Sequence, residues 1–181
     1  MMLRRTRAKQ VAPVYELFIR DYPSPDEMYR ADSNSLRSSL KPLGLNWRIA
    51  QFEALGRDLV RDFGGHVPTT REELVQLTGV SDYVADAVLV FALGQPRAVI
   101  DANVARVIAR YFGLREHAEA RRDGQVRELA DGLLDRAHAR DYNFAMLDLA
   151  ALVCTARNPK HDLCPLRRTC AKAANAKAVA S

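Results

Sequence analysis

The chain has 181 residues, of which 48% are hydrophobic and 27% are charged. This composition is normal for a globular protein of one domain or two small lobes, and it excludes the collagen, coiled-coil and disordered classes. The net charge is +5, and the basic excess lies at the two ends, since residues 1–10 carry four basic and no acidic side chains and residues 151–181 carry six basic and one acidic. This asymmetry favours a polyanionic partner, with a solvated pair of chain ends as the alternative.

Apolar residues recur every three or four positions in eight segments, which is the spacing of an amphipathic helix. No segment alternates convincingly as a strand. Proline and glycine separate the segments, for example in Tyr22-Pro-Ser-Pro25 and at Gly64-Gly65. The sequence therefore predicts an all-α protein with about eight short helices and a helical tail near 171–177. The eight segments are 11–20, 35–40, 49–63, 71–77, 82–92, 102–111, 126–139 and 144–154.

Two of these segments are joined by a very short turn, Leu77-Thr-Gly-Val-Ser81. Thr70 followed by Glu73 predicts a capped start for the first helix. A short turn of this kind directs its own backbone N–H groups, and those that open the second helix, towards one point, where they can bind a phosphate. The alternative is a plain helical hairpin with a glycine turn.

Asp101 follows three apolar residues and stands where the next predicted helix begins. By position it is the N-cap of that helix. A second interpretation, compatible with the first, is a carboxylate in a partly dry cleft that activates water or stabilises a developing cation.

The three cysteines all lie within a 17-residue stretch, and an odd number of clustered cysteines favours metal ligation over disulfides. With one histidine they form the pattern Cys154-x6-His161-x2-Cys164-x5-Cys170. Four such ligands suit either zinc or an iron–sulfur cluster. The alternative is a loop held by packing, without a metal.

Together, the hairpin turn, the residues around Asp101 and the cysteine spacing resemble the helix-hairpin-helix (HhH-GPD) DNA glycosylase superfamily, which includes endonuclease III and the MutY-type adenine glycosylases. The resemblance covers nearly the whole chain and implies two helical lobes, 1–97 and 98–181, with the helix-hairpin-helix at about 71–92. It also implies a [4Fe-4S] cluster held by a C-x6-C-x2-C-x5-C pattern, in which His161 here occupies the second position.

The position four residues after the hairpin glycine divides this family, and here it is Tyr83. Bifunctional members carry a lysine there, which forms a Schiff base with the sugar and cuts the strand, and tyrosine cannot do so. The chain therefore looks most similar to the monofunctional glycosylases that remove thymine or uracil mispaired with guanine. By that resemblance Asp101 assists water or stabilises the oxocarbenium-like transition state, and Tyr83 lines the pocket. The alternatives are an adenine glycosylase of the MutY type and an inactive DNA-binding relative.

The same resemblance implies a partner, double-stranded DNA with a mismatched or damaged base. Arg4 or Arg5 would fill the gap left by the extruded base, Leu45 would enter the stack from the other side, and the hairpin turn would hold the DNA backbone. The DNA-binding residues of the hairpin would be Thr78, Gly79 and Ser81.

The chain also departs from the family pattern at several positions. Ser81 stands where a second glycine is usual, and Thr78 replaces the usual proline. Compared with the family, a helix and part of another would precede Leu3, and the acidic residue that adenine-removing members use as a proton donor would lie before Met1.

We expect no membrane partner, since no apolar run approaches the ~18–20 residues that span a bilayer. No hydrophobic stretch follows the basic start to form a signal peptide. We therefore expect a cytoplasmic protein. Separately, we expect it to be a monomer.

Overall fold

The computed structural model describes residues 2–3, 6–44 and 47–179. Across these residues the regular structure is entirely helical, with no strand, which confirms the predicted all-α class. In the same residues no helix is both long and apolar enough to cross a membrane. Arg4, Arg5 and Leu45 lie outside the described residues.

The chain divides into two compact units, Met1–Ala85 and Asp86–Ser181. The boundary between the units falls inside a helix, whereas the division into functional lobes at 97 and 98 stays a prediction. The first unit is built by α1 to α5, and α6 crosses the boundary. Their bounds are α1 Ala8–Asp21, α2 Pro25–Arg30, α3 Ser33–Leu40, α4 Trp47–Phe63, α5 Arg71–Leu74 and α6 Asp82–Phe91.

The first unit packs around a core of aliphatic and aromatic side chains. In α1, Val11, Val14 and Phe18 are buried at helical spacing, and the Phe18 ring lies 5.0 Å from Tyr22 and 5.4 Å from Phe52, centroid to centroid. Burial of such a stripe is what stabilises a short helix in a protein. The core also includes Met28, Leu36, Leu40, Leu43 and Ile49.

Helix α2 is an element that the sequence analysis missed, because Pro23 and Pro25 were interpreted only as breakers. Pro25 is the first residue of the helix, where its missing N–H costs nothing. The Ser24 side chain accepts a hydrogen bond from the backbone N–H of Glu27 and caps the helix. Proline here begins a helix rather than preventing one.

The second unit contains the remaining helices and the cysteine-bearing loop. Helix α9 continues into a turn of π-helix, Leu149–Val153, that leads directly to Cys154. Alanine, valine and isoleucine side chains from α7, from α8 and from the segments before them form its core, with Ala105 and Ile108 almost completely buried. The helices are α7 Ala102–Phe112, α8 Gly124–Leu133, α9 Ala139–Asp148 and α10 Ala171–Val179.

The predicted helix 126–139 was wrong at its C-terminal end, and the predicted helix 144–154 started too late. Helix α8 ends at Leu133, and Leu134 adopts an extended conformation. Asp135 then accepts hydrogen bonds from the backbone N–H groups of Ala137 and His138, a local turn that competes with helix continuation. Since α9 already begins at Ala139, the apolar periodicity concealed a break between two helices.

Candidate active site and metal loop

The turn between α5 and α6 forms the predicted hairpin. The Thr70 side chain accepts from the backbone N–H of Glu73, as its predicted cap requires. Gly79 has φ +80°, a conformation that favours glycine. The Arg71 guanidinium donates to the Asp82 carboxylate and so joins the start of α5 to the start of α6. These contacts hold the turn in one conformation.

The backbone N–H groups of this turn differ in their availability. The Thr78 N–H donates to Oδ2 of Asp58, at 2.8 Å, and the Val80 N–H donates to the Leu77 carbonyl. Within the described part of the chain, the N–H groups of Gly79 and Ser81 have no hydrogen-bond partner. As far as the described residues show, these two amides can donate to an external partner, whereas the Thr78 amide already donates to Asp58.

Asp58 is a residue that sequence reasoning missed. It lies on α4, 20 residues before Thr78, and no motif connects the two positions. Tyr83 lies in the first turn of α6, directly after Asp82, and its side chain is half-buried.

Asp101 is the N-cap of α7, which confirms the structural interpretation of this residue. Its Oδ1 accepts hydrogen bonds from the backbone N–H groups of Asn103 and Val104, both at 2.7 Å, and its Oδ2 accepts from the Asn103 side-chain amide at 2.8 Å. Three donors fix the carboxylate in position. A carboxylate offers about four acceptor positions, so within the described residues one position of Asp101 is left for water or substrate.

The side chains of α7 connect Asp101 to the metal loop. The Asn103 side-chain oxygen accepts from Arg106 at 2.8 Å, and the Arg106 guanidinium also donates to the carbonyls of Cys154 and Ala150. Successive turns of one helix thus carry the capping carboxylate and the arginine that holds the first cysteine of the loop. Sequence reasoning assigned no role to Arg106, and for Asn103 it left open a capping role and a DNA contact.

Arg110, one turn further along α7, is a second internal support of the metal loop. Its guanidinium is only 8% exposed and donates to the carbonyls of Thr155 and Ala156 and to Sγ of Cys154 at 3.7 Å. Burial acts to lower the pKa of Arg110, but hydrogen bonds to Cys154 and Glu116 outweigh it, so that the pKa is raised above its usual range. The Arg110 guanidinium therefore stays positively charged.

Glu116 balances this buried cation. It accepts from Arg110 at 2.9 Å and from Lys172 of α10 at 3.2 Å. Burial acts to raise the pKa of Glu116, but the hydrogen bonds from Lys172 and Arg110 outweigh it and hold the pKa below its usual range. Glu116 thus links Lys172 of α10, the helix that follows the metal loop, to Arg110 of α7.

The four predicted metal ligands lie on one loop, and the three cysteines are free thiols of intermediate burial. Cys170 donates from Sγ to the Arg110 carbonyl at 3.6 Å. In the described residues no three histidine, cysteine, aspartate or glutamate side chains are gathered closely enough to hold a single metal ion. Chemically, three thiols and one imidazole on a single loop fit an iron–sulfur cluster. The ligands would be Cys154, His161, Cys164 and Cys170.

Comparison with known proteins accounts for both regions of the chain. Residues 1–131 match the HhH-GPD superfamily base excision DNA repair protein family. Residues 154–170 match the iron–sulfur binding domain of endonuclease III, so this loop is an iron–sulfur binding loop.

The chain is similar to several DNA glycosylases over most of its length. It is 41% identical to a thymine/uracil-DNA glycosylase of Pyrobaculum aerophilum, over 92% of this chain and 74% of the relative. It is 35% identical to a thymine-DNA glycosylase of Aeropyrum pernix, over 93% of this chain and 78% of the relative. A solved thermostable thymine-DNA glycosylase superposes with a TM-score of 0.91 at 32% identity, covering 96% of this chain and 81% of that one. The chain therefore belongs to the HhH-GPD superfamily of base excision DNA repair proteins, and it is a DNA glycosylase with an iron–sulfur binding loop.

Proposed function

We propose that the protein hydrolyses the N-glycosidic bond of thymine or uracil mispaired with guanine and leaves the DNA strand intact. The observation that carries this proposal is the 41% identity, over 92% of the chain, to a relative named a thymine/uracil-DNA glycosylase. Tyr83 supports the proposal that the strand stays intact, because a phenol cannot form the Schiff base that strand cleavage by this class of enzyme requires.

Asp101 is the residue that we propose for the chemical step. Its carboxylate is held by three N–H donors in a fixed orientation, so that little reorganisation is needed when positive charge develops on the sugar. The remaining acceptor position suits a water molecule that attacks the anomeric carbon. Either role uses the same preorganised carboxylate, and Tyr83 would line the pocket for the extruded base.

The hairpin turn is the proposed contact with the DNA backbone. The N–H groups of Gly79 and Ser81, which have no partner among the described residues, can donate to a phosphate oxygen, an arrangement that binds DNA without reading its sequence. The Thr78 amide already donates to Asp58, so that Thr78 would contribute through its side chain.

Three further DNA contacts rest on the sequence. Arg4 or Arg5 would occupy the gap left by the base, and Leu45 would enter the opposite side of the stack. We also propose that the protein acts on the mismatched duplex as a monomer.

For the metal loop we propose a [4Fe-4S] cluster with His161 as the fourth ligand beside Cys154, Cys164 and Cys170. When bound, the cluster would tie the loop together, and the chain's own residues Arg106 and Arg110 hold that loop against α7. Replacement of His161 by alanine should lower the iron content per chain, whereas replacement by cysteine should retain it. Equal iron content in all three proteins would show that His161 is not a ligand, and zinc in place of iron would refute the cluster.

The experiment that tests the function uses end-labelled duplexes that contain T:G, U:G or A:G pairs, each incubated with the protein and analysed with and without hot alkali. We expect alkali-dependent cleavage at T:G and U:G alone. We also expect Asp101→Asn to lower the single-turnover rate on the order of 100-fold or more, with duplex binding retained.

Three results would contradict this proposal. Cleavage without alkali would refute the monofunctional assignment of Tyr83. Cleavage confined to A:G pairs would identify an adenine glycosylase instead. Binding without cleavage of any duplex would identify an inactive DNA-binding relative.

A further inference from the structure

The segment that leads into Asp101 is buried without belonging to a helix or strand. Residues 94–101 have no regular secondary structure. Ala98, Val99 and Ile100 are nevertheless all buried, with Val99 only 1% exposed. Buried backbone N–H and C=O groups outside helices and sheets need side-chain or water partners. The position of Asp101 therefore depends on what holds this segment.

The side chain of Asn143 supplies these partners. It lies on α9, is 2% exposed, and its Oδ1 accepts from the Val99 N–H at 2.8 Å. Its Nδ2 donates to the Arg97 carbonyl at 2.9 Å and to the Ala139 carbonyl at 2.7 Å. One amide thus holds a donor and an acceptor of the segment, two residues apart, and anchors both to its own helix.

A second buried side chain holds the same segment. The Asp86 carboxylate on α6, whose side chain is 8% exposed, accepts from Nε of Arg97 at 3.2 Å. Arg97 is therefore held at its backbone by Asn143 and at its side chain by Asp86. The segment therefore runs to the N-cap of α7 from Arg97, a residue that α6 and α9 both hold.

We propose that Asn143 is a positioning residue for Asp101: by holding the Arg97 carbonyl and the Val99 N–H, it sets where the catalytic carboxylate stands. This inference rests on the proposed function, which assigns the chemical step to Asp101. Among the described residues Asn143 makes no hydrogen bond to Asp101, so it acts through the chain from Val99 through Ile100 to the N-cap. A shift of about 1 Å in a reacting group can lower a rate on the order of 100-fold.

The test compares Asn143→Leu and Asn143→Asp with the full-length, iron-loaded wild type. Leucine removes all three hydrogen bonds, whereas aspartate keeps the acceptor for the Val99 N–H and loses the donors when ionised. In single-turnover assays on a T:G duplex we expect base release to slow on the order of 10- to 100-fold. Active-site titration should show the same fraction of active molecules, and the Kd for an undamaged duplex should be unchanged.

Leu36→Ala is the control. Leu36 is buried in the core cluster of the first unit, and the described members of that cluster include no residue of 94–101 or of α7, so that its truncation destabilises the protein without touching the segment that leads to Asp101. We expect a lower melting temperature and an unchanged rate per active molecule. If the two Asn143 variants behave like this control, losing active fraction but not rate, Asn143 is merely structural and the inference is overturned.

Asp101→Asn in the same assay separates the two proposals. If it abolishes base release while both Asn143 variants keep the wild-type rate, the positioning inference fails and the proposed function stands. If Asp101→Asn keeps the wild-type rate, the proposed function fails and the positioning inference fails with it. If Asp101→Asn and both Asn143 variants slow base release at full active fraction, the inference is supported.

Discussion

The hairpin turn, residues 77–81, and the metal loop, residues 154–170, are both irregular segments, but they are held in different ways. The hairpin depends mostly on neighbours in sequence, namely the left-handed Gly79, the Thr70 cap and the link from Arg71 to Asp82, with one more distant hydrogen bond from the Thr78 N–H to Asp58. The metal loop depends on Arg106 and Arg110, which reach it from α7 across 44 to 48 positions of chain.

This difference separates two kinds of support for function. A turn whose shape is set by its local conformation presents its N–H groups in fixed positions. Such groups suit the phosphates that recur along a DNA backbone. The position of a loop that is held by a buried cation depends on the helix that carries the cation. Because Asp101 caps that same helix, the loop and the carboxylate share one support. Because the hairpin turn is held by α5 and α6 and the metal loop by α7, damage to either the turn or the loop should leave the other largely intact.

The largest expected effect is on the metal loop. Arg110→Met removes the guanidinium and leaves the carbonyls of Thr155 and Ala156 without donors, at a cost of about 3 kcal/mol. We expect a lower melting temperature and loss of iron, measured by metal analysis and visible absorbance.

Arg167→Met is the control for this variant on the same loop. Arg167 pairs with Asp162, whose side chain is 88% exposed, and exposed pairs contribute little. It should retain its iron. If Arg110→Met also retained full iron and stability, the loop would not depend on α7 in the way described.

An intermediate effect is expected at the hairpin turn. Gly79→Ala places a Cβ at φ +80°, which costs about 1–2 kcal/mol or forces the turn to change. We expect the Kd for duplex DNA, measured by fluorescence anisotropy, to rise on the order of 10-fold, with iron content unchanged.

Gly64→Ala is matched to this variant, since Gly64 has φ +59° and open space around its Cβ direction. It should show a similar loss of stability and no change in Kd. Equal DNA affinity in both variants and the wild type would remove the hairpin from the proposed interface.

The smallest effect concerns Glu116, which links Arg110 to Lys172. Its pKa is lower in the folded protein than its ordinary value of 4.5, so its stabilising contribution is present above that value and is lost as the pH falls through the lower folded-state value. The side chain is 35% exposed, and we expect a contribution of about 1 kcal/mol.

Urea unfolding of the wild type and Glu116→Gln should therefore differ at neutral pH and converge in acid. A difference that grows as the pH falls would contradict this assignment. The hairpin should not respond to this substitution, because its contacts do not include Glu116.

Much of the fold could be predicted because it depends on residues that are close together in the sequence. The helical class, the Thr70 cap, the Gly79 turn and the position of Asp101 at a helix start all depend on residues within one or two turns. The errors were also local: Pro25 begins a helix after a serine cap, and the break at Leu134 interrupts an apolar pattern that continues on both sides.

The sequence by itself determined which residue types we propose for the chemistry: a capping carboxylate, a glycine turn, and three cysteines and a histidine at fixed spacing. Only the tertiary structure decided what holds them. Asp58 engages the Thr78 amide from 20 residues away, and Asn143 holds the approach to Asp101 from 44 to 46 residues away. Hydrogen bonds of this kind arise where buried backbone must find partners, and those partners depend on which helices pack together. No local pattern along the chain contains that information.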